Sequence, residues 1–298
     1  MGSGSWSASS YASYSCATKM GATLDSSGYL RTAMSNQEMF KSRKIDEALN
    51  PYKVVRECVD SDEHPNTLPV ILGLDVTGSM GEAAVEVAKR LNVIMTKLYK
   101  EVDDIEFMIM GIGDLACDRS PIQASQFESD IRIAEQLDKI YFEFGGGGNS
   151  YESYTAAWYF GLNHCKLDCW NHGKKGIIIT MGDEEINPYL PYEALTMSTG
   201  DTLQGDIETK DLYKKVCEKF NVYHIDVNHG SRYWEKDVDE SWKKVLGQHY
   251  IKSNLNSIDN DIVNIILDAV KKDDTFVDTT PVVDNSNVTV NENGEITW

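Results

Sequence analysis

A short polar stretch carries residue types that bind a hard cation. Asp75, Thr77 and Ser79 stand at every second position, between a run of apolar residues and a helical pattern. This spacing predicts three oxygen-bearing side chains on one side of a tight turn, and such ligands suit Mg²⁺ or Mn²⁺. The alternative is structural, in which Ser79 caps the helix and Asp75 accepts hydrogen bonds within the turn.

Further carboxylates follow other apolar runs. Asn149, Ser150 and Glu152 come after four consecutive glycines, Asp183 follows a third apolar run, and Asp114 follows the second. Carboxylates that lie together without partners repel each other, so a cluster of this kind is expected to hold a cation. The predicted metal-binding residues are Asp75, Thr77, Ser79, Glu152 and Asp183, with Asn149 and Ser150 as second-loop alternatives and Asp114 nearby.

The apolar runs predict the elements that position these residues. Residues 68–74 and 105–112 are almost continuously apolar, as is typical of strands covered on both faces of a parallel sheet. Further strands are predicted at 176–181, 221–227 and 250–251, and helices at 84–98, 124–140, 150–165, 209–220, 235–246 and 259–270. Alternation of strands and helices predicts an α/β fold with a doubly wound, mostly parallel sheet and helices on both faces. In such sheets ligands bind at the carboxyl ends of the strands.

The remaining segments divide the chain. Residues 1–35 are rich in Ser, Gly, Ala and Tyr without a regular period, which predicts a low-complexity arm that is disordered or ordered by a partner. Residues 36–65 are predicted to form a helical N-terminal extension, and residues 66–272 the α/β domain. Residues 273–298 form a polar tail, in which Asn293 and Gly294 predict the turn of a small β-hairpin.

Composition excludes several classes of protein. The chain of 298 residues has 28 Lys and Arg against 47 Asp and Glu, a formal net charge of −19. Nucleic-acid binders and proteins of anionic membranes rely on a basic face, so neither class fits. The sequence has no apolar run long enough to span a bilayer and no secretory signal pattern, so we expect a cytoplasmic protein.

A second group of metal-binding residue types lies near the middle of the chain. His164, Cys165, Cys169 and His172 fall within nine positions and offer four groups that can bind zinc. Structural zinc sites usually use two short-spaced ligand pairs separated by a longer loop, a pattern that is not present here. The alternative is a helix end that continues into a loop with a buried cysteine.

Two of the polar segments, residues 75–79 and the one that contains Asp183, carry a resemblance to a known family over roughly residues 66–270. With Asp75, Thr77 and Ser79 in one loop and Asp183 in another, the sequence resembles the von Willebrand factor A domain and its metal-ion-dependent adhesion site. The second loop resembles the subgroup in which three glycines and a short polar link precede a Glu that begins a helix. By that resemblance Glu152 takes the second-loop role, with Asn149 and Ser150 as alternatives.

The resemblance implies a Rossmann-like fold in which Thr77 and Ser79 bind Mg²⁺ directly, and Asp75 and Asp183 mostly through water. Mn²⁺ or Ca²⁺ could take the place of Mg²⁺. An Asp or Glu of a protein partner would complete the site, so the implied function is recognition and not catalysis. Intracellular bacterial and phage members of the family often work beside MoxR-type AAA+ ATPases or in conflict and stress systems, which implies an adaptor and an AAA+ ATPase partner.

Two other functions stay open at this stage. One is a metal-independent assembly protein that binds through its arm and C-terminal hairpin. The other is a phosphotransferase of the haloacid dehalogenase type, with Asp75 as nucleophile and Mg²⁺ as activator. That chemistry needs a second Asp or a Lys next to the nucleophile, and Val76 and Thr77 occupy those positions.

Overall fold

The computed structural model describes residues 4–142, 151–227 and 234–275, together with residues 289–290 and 296–297. Its helices are α1 (Ala8–Thr18), α2 (Asn36–Met39), α3 (Gly81–Leu98), α4 (Arg132–Leu137), α5 (Ala156–Asn163), α6 (Tyr192–Thr199), α7 (Thr209–Val216), α8 (Glu235–Leu246) and α9 (Ile258–Thr275). Its strands are β1 (Thr23–Leu24), β2 (Leu30–Arg31), β3 (Arg56–Cys58), β4 (Leu68–Asp75), β5 (Ile105–Ile112), β6 (Ile122–Ala124), β7 (Tyr151–Glu152), β8 (Cys165–Leu167), β9 (Gly176–Gly182), β10 (Glu185–Ile186), β11 (Tyr189–Leu190), β12 (Ile207–Glu208), β13 (Phe220–Val227), β14 (Tyr250–Ser253), β15 (Thr289–Val290) and β16 (Ile296–Thr297). Short 3-10 helices cover Glu47–Leu49, Gly78–Met80, Asp168–His172 and Gly247–His249.

A six-stranded sheet forms the centre of the fold. Its strand order is β14-β13-β9-β4-β5-β6, and all neighbouring strands are parallel except β6, which runs antiparallel to β5. In the register, Asp75 lies opposite Ile112 and Leu74 opposite Met181. The carboxyl ends of β4, β5 and β9 therefore meet at one edge. The structure confirms the mixed α/β architecture with a central, mostly parallel sheet.

Apolar side chains of the sheet alternate between two hydrophobic clusters. Val70, Leu72 and Leu74 belong to a cluster with residues of α3, α4 and α9, whereas Ile71 belongs to a second cluster with residues of α5, α7 and α8. Because successive side chains of a strand point to opposite faces, the apolar runs cover both faces of the sheet.

The N-terminal arm differs from its prediction. We expected no regular structure of its own over residues 1–35, but α1, β1 and β2 form there, and Tyr11 and Leu30 are buried in the cluster that contains α3. The Tyr11 hydroxyl donates to the Ala88 carbonyl at 2.9 Å, and the Tyr14 hydroxyl donates to Asp138 at 2.8 Å. Helix α1 has no apolar stripe by which it could be recognised in the sequence. A few tyrosines make its contacts with the core.

The extension at residues 36–65 is largely non-helical, contrary to the prediction. It contains the single turn α2, a 3-10 turn at Glu47–Leu49 and strand β3, which pairs in parallel with β8. The predicted helix at 124–140 is reduced to α4, because residues 122–124 form the edge strand β6.

In the tail, β15 and β16 pair antiparallel, with Thr289 opposite Thr297. Within the described part of the chain, no helix is long and apolar enough to cross a membrane.

Candidate metal site at the carboxyl edge of the sheet

Asp75 lies at the centre of the candidate site. It is the last residue of β4 and is 1% exposed. Its Oδ1 accepts hydrogen bonds from the backbone N–H of Thr77 at 2.9 Å and from the Thr77 hydroxyl at 2.6 Å, and its Oδ2 accepts one from the Tyr154 hydroxyl at 2.7 Å. Burial, with a smaller contribution from the Asp183 charge, raises the pKa of Asp75 to about 7 despite these hydrogen bonds.

Thr77 is a buried hydroxyl aligned by this carboxylate. Because its proton is donated to Asp75, the lone pairs of its oxygen remain available to a cation. The residues that follow form the 3-10 turn Gly78–Met80, and α3 begins at Gly81. The loop between β4 and α3 is thus a tight turn in which Asp75 accepts hydrogen bonds, as the structural alternative also expects. The Ser79 side chain, like Asn149 and Ser150, lies outside the described part of the structure.

Glu152 lies beside this loop in a different local structure from the one predicted. It belongs to the short strand β7 and not to a helix, since α5 begins only at Ala156. Strand β7 pairs in parallel with β10, which places Glu152 opposite Ile186 in the segment after Asp183. The loop of Glu152 thus pairs with the segment after Asp183, and local sequence does not indicate this pairing. It takes the place of the first helical turn that the sequence predicted.

The environment of Glu152 is strongly acidic. The side chain is 7% exposed, and its Oε2 has no hydrogen-bond partner among the described residues. Burial is the largest cause that raises the pKa of Glu152 to about 10, and the charges of four other acids account for the rest: Asp75, Asp118, Asp114 and Glu184. A neighbouring positive charge would reverse this effect, because it would favour the ionised carboxylate.

Asp183 and Asp114 complete the acidic surroundings. Asp183 follows the end of β9, is 4% exposed and raises the pKa values of both Asp75 and Tyr154 through its charge. Asp114 is buried in the loop after β5, where its backbone N–H bonds Asp118 Oδ2 at 2.7 Å. The predicted acids therefore lie at one edge of the sheet, because they follow the carboxyl ends of neighbouring strands.

Sequence reasoning missed one residue of this site, Tyr154. Tyr154 is fully buried, and its hydroxyl lies over Gly182, where a Cβ atom would overlap it. Its position two residues after Glu152 was the available signal, but nothing in the sequence indicates that it reaches Asp75. The loop that contains Asp118 is joined to the second loop by a hydrogen bond from Leu115 N–H to Ser153 Oγ at 2.9 Å.

The chemistry of this donor set fits a hard divalent cation. It combines buried carboxylates that repel each other, one buried carboxylate oxygen without a donor among the described residues, and a hydroxyl whose lone pairs are available. Within the described residues, no group of three or more His, Cys, Asp or Glu side chains is arranged to hold a metal ion by itself. A cation at this edge would therefore depend on hydroxyl and water ligands, as Mg²⁺ often does.

The four residues considered for zinc are not arranged around a common point. His164 contacts the Val54 carbonyl at 2.9 Å and Asp201 Oδ2 at 2.7 Å through its two ring nitrogens. His172 is bonded instead to Asp60 at 2.6 Å, and Cys165 and Cys169 are buried in a hydrophobic cluster. The structure favours the alternative, a helix that ends at Asn163 and continues into buried cysteines.

A cleft of about 630 Å³ adjoins the loop of Asp114 and Asp118. Its lining includes Leu115 and Asp118 from that loop, Tyr52 from the extension and Met197 from α6. Met197 is 79% exposed and Tyr52 48% exposed, so both side chains are accessible at the rim of this cleft.

The chain matches no family model, and no curated protein matches its sequence. Among solved structures it is similar to the pilus adhesin SpaC from Lactobacillus rhamnosus GG in its open conformation, with a TM-score of 0.46 and 13% identity over 74% of this chain and 31% of the adhesin. It is also similar to the proximal thread matrix protein 1 from the mussel byssus, with a TM-score of 0.45 and 12% identity over 68% of this chain and 48% of that protein. A third similar structure is the vWF domain of the type V pili tip protein Mfa5 from Porphyromonas gingivalis, with a TM-score of 0.43 and 10% identity over 70% of this chain and 96% of that domain. The chain thus spans about a third of the length of SpaC.

Proposed function

We propose that this protein is a recognition module of the von Willebrand factor A type, with a doubly wound sheet, that binds a protein partner through a divalent cation. The observation that carries the proposal is the buried Glu152, whose Oε2 lacks a donor among the described residues while acidic neighbours surround it. A buried carboxylate in such surroundings stays protonated unless a cation is present, so the site is suited to a bound ion.

The resemblance and the geometry together suggest a role for each residue. Thr77 and Ser79 would bind the ion through their hydroxyls, Asp75 and Asp183 would act mostly through water, and Glu152 would supply the second-loop oxygen. Mg²⁺ is the preferred ion in this proposal, since all the donors are oxygens and two of the carboxylates would act mostly through water. When bound, the ion would supply an electrophilic position for a carboxylate of a partner.

The hydrogen bonds of Asp75 favour recognition over phosphoryl transfer. Both of its oxygens accept hydrogen bonds, Oδ1 from Thr77 and Oδ2 from Tyr154, at 2.6 to 2.9 Å. A carboxylate held in this way is suited to orienting ligands around an ion. A nucleophilic Asp would need one oxygen directed at the phosphorus atom of a substrate.

The partner would combine an acidic residue with basic surroundings. An Asp or Glu side chain would bind the ion, while Lys or Arg residues around it would complement a protein that carries a net charge of −19. The exposed Tyr52 and Met197 beside the site would add apolar contact area. By family resemblance, we propose an AAA+ ATPase as one such partner and the cytoplasm as the compartment.

Two measurements with Mg²⁺ or EDTA test this function. The first is thermal unfolding, in which Mg²⁺ should raise the melting temperature because it binds the folded chain alone. The second is capture of partners from a lysate in each condition, with the proteins identified by mass spectrometry. Thr77→Ala should abolish both Mg²⁺ effects. Thr199→Ala is the matched control, since that buried hydroxyl donates to the Leu195 carbonyl at 2.8 Å, away from the site.

The outcomes separate the open functions. Capture that is equal in Mg²⁺ and EDTA would favour a metal-independent assembly protein. Turnover of a phosphate ester that depends on Asp75 would favour the phosphotransferase. An unchanged melting temperature in Mg²⁺ would contradict the metal site.

A further inference from the structure

A line of contacts leads from Asp75 to helix α8. The Tyr154 hydroxyl donates to Asp75 Oδ2 at 2.7 Å and accepts a hydrogen bond from the backbone N–H of Glu184 at 3.3 Å. The carbonyl of Glu184 accepts a hydrogen bond from the indole N–H of Trp242 at 3.0 Å. Four residues from four separate regions of the chain are thereby connected.

Aromatic packing holds this line of contacts in place. The rings of Tyr154 and Trp242 lie 5.6 Å apart between centroids, and the imidazole of His224 stacks on Trp242 at 3.6 Å. Tyr154 and Trp242 are both fully buried. A tyrosine enclosed in this way has little freedom to move unless its neighbours move with it.

We propose that Tyr154 is a positioning residue, which aligns Asp75 for the cation and transmits occupancy of the metal site to Trp242 in α8. This inference rests on the proposed function, because it requires a cation at the site. The geometry supports it in two ways. Tyr154 is the donor to Asp75 Oδ2, and the same hydroxyl contacts the residue that follows Asp183.

The physical reason is the direction of the hydrogen bonds. A bound ion attracts the carboxylate of Asp75 and the residues of the Asp183 loop, and the Tyr154 hydroxyl lies between these two groups. A small displacement of either one alters the hydrogen bond to Glu184, whose carbonyl holds the indole of Trp242. Packed aromatic groups pass on such shifts because they cannot absorb them locally.

The test compares Tyr154→Phe with the unaltered chain in two titrations with MgCl₂. Calorimetry measures binding of the ion, and tryptophan emission measures the response at α8. Tyr154→Phe retains the buried ring and removes only the hydroxyl, so we expect a folded protein, which circular dichroism checks. Binding should weaken about tenfold, since a hydrogen bond to a charged group is lost. The change in emission should disappear even at saturating Mg²⁺.

Two further variants sharpen the comparison. Tyr159→Phe is the matched control, because the Tyr159 hydroxyl also donates to a carboxylate, Asp201, but at a distance from the site. It should bind Mg²⁺ with unchanged affinity and keep the emission change. Trp242→Phe should remove the emission change, which would assign that signal to Trp242.

Each outcome has a separate meaning. If the unaltered chain shows neither heat nor an emission change, the proposed function fails and this inference fails with it. If the unaltered chain binds Mg²⁺ and Tyr154→Phe behaves identically in both titrations, the metal site stands and the role of Tyr154 is wrong. An emission change that persists in Trp242→Phe would likewise overturn the connection to α8.

Discussion

The Tyr154 hydroxyl bonds Asp75 Oδ2 at 2.7 Å across a separation of 79 positions in the chain. This contact joins the second loop of the candidate site to the first. It also explains why glycine stands at position 182, since the hydroxyl occupies the space that a side chain would need. The site is therefore a product of three loops that constrain one another.

The absence of a side chain at Gly182 leads to the first prediction. Gly182→Ala should destabilise the fold by about 1–3 kcal/mol, because the added methyl group displaces the buried Tyr154. Mg²⁺ binding should weaken as well, since Asp75 loses its aligned donor. Urea unfolding and calorimetry measure the two effects. Gly205→Ala is the control, because a Cβ atom there meets no atom within 4 Å, and it should change neither quantity.

The burial of Glu152 predicts an unusual gain in stability. At pH 7 in EDTA, Glu152→Gln should stabilise the fold by roughly 1–3 kcal/mol, because folding no longer requires protonation of this carboxylate. The same variant should lose the melting response to Mg²⁺. Both effects can be measured by thermal unfolding with and without the ion.

Glu106 offers a matched control for that variant. It is 1% exposed, its Oε2 also has no partner among the described residues, and burial raises its pKa. It lies near the start of β5, at the opposite end of the strand from the candidate site. Glu106→Gln should also stabilise the fold in EDTA but should keep the full Mg²⁺ response. A loss of response in both variants would show that the effect is not specific to the site.

The raised pKa of Asp75 predicts how stability depends on pH without divalent ions. The unfolded carboxyl ionises near pH 4, whereas the folded one ionises at about pH 7. Between these values the folded state binds more protons, so the free energy of unfolding should fall as pH rises, by up to about 1.4 kcal/mol per pH unit. Above pH 7 this contribution should be constant.

Urea unfolding in EDTA at a series of pH values from 4 to 8 measures this effect. Other buried acids contribute to the same trend, so the informative quantity is the difference between the unaltered chain and Asp75→Asn. That difference should grow from pH 4 to about 7 and then level off. A difference that does not vary with pH would contradict the ionisation assigned to Asp75.

The docked N-terminal arm predicts a large effect of a residue far from the site. Tyr11 is 1% exposed and contacts α3, the helix that follows the loop of Asp75. Tyr11→Ala should destabilise the fold by about 3–5 kcal/mol and expose the arm to proteolysis, because it empties a buried aromatic position. Tyr52→Ala, at a half-exposed tyrosine, is the control and should have little effect on stability. Equal proteolysis of both variants would indicate that the arm is not held by Tyr11.

The central strands and most helices of the domain could be predicted from sequence, because their patterns are local. Continuous apolar runs predicted β4, β5, β9 and β13, and the helical periodicity before Leu98 predicted α3. The candidate loop at Asp75 could also be recognised, since its residues are close together in the chain. A parallel sheet then brings the ends of its strands together, so the meeting of Asp75, Asp114 and Asp183 followed from the element pattern alone.

Other features were decided only by tertiary structure. The arm folds because Tyr11 and Tyr14 find partners in Ala88 and Asp138, and no periodicity marks such isolated contacts. Glu152 lies in a strand, because pairing with β10 outweighs the local preference for a helix. The hydrogen bond from Tyr154 to Asp75 depends on the packing of the Tyr154 side chain against Gly182. Sequence patterns thus determine the elements and the acids at their ends, whereas long-range packing decides which buried side chains hold those acids in place.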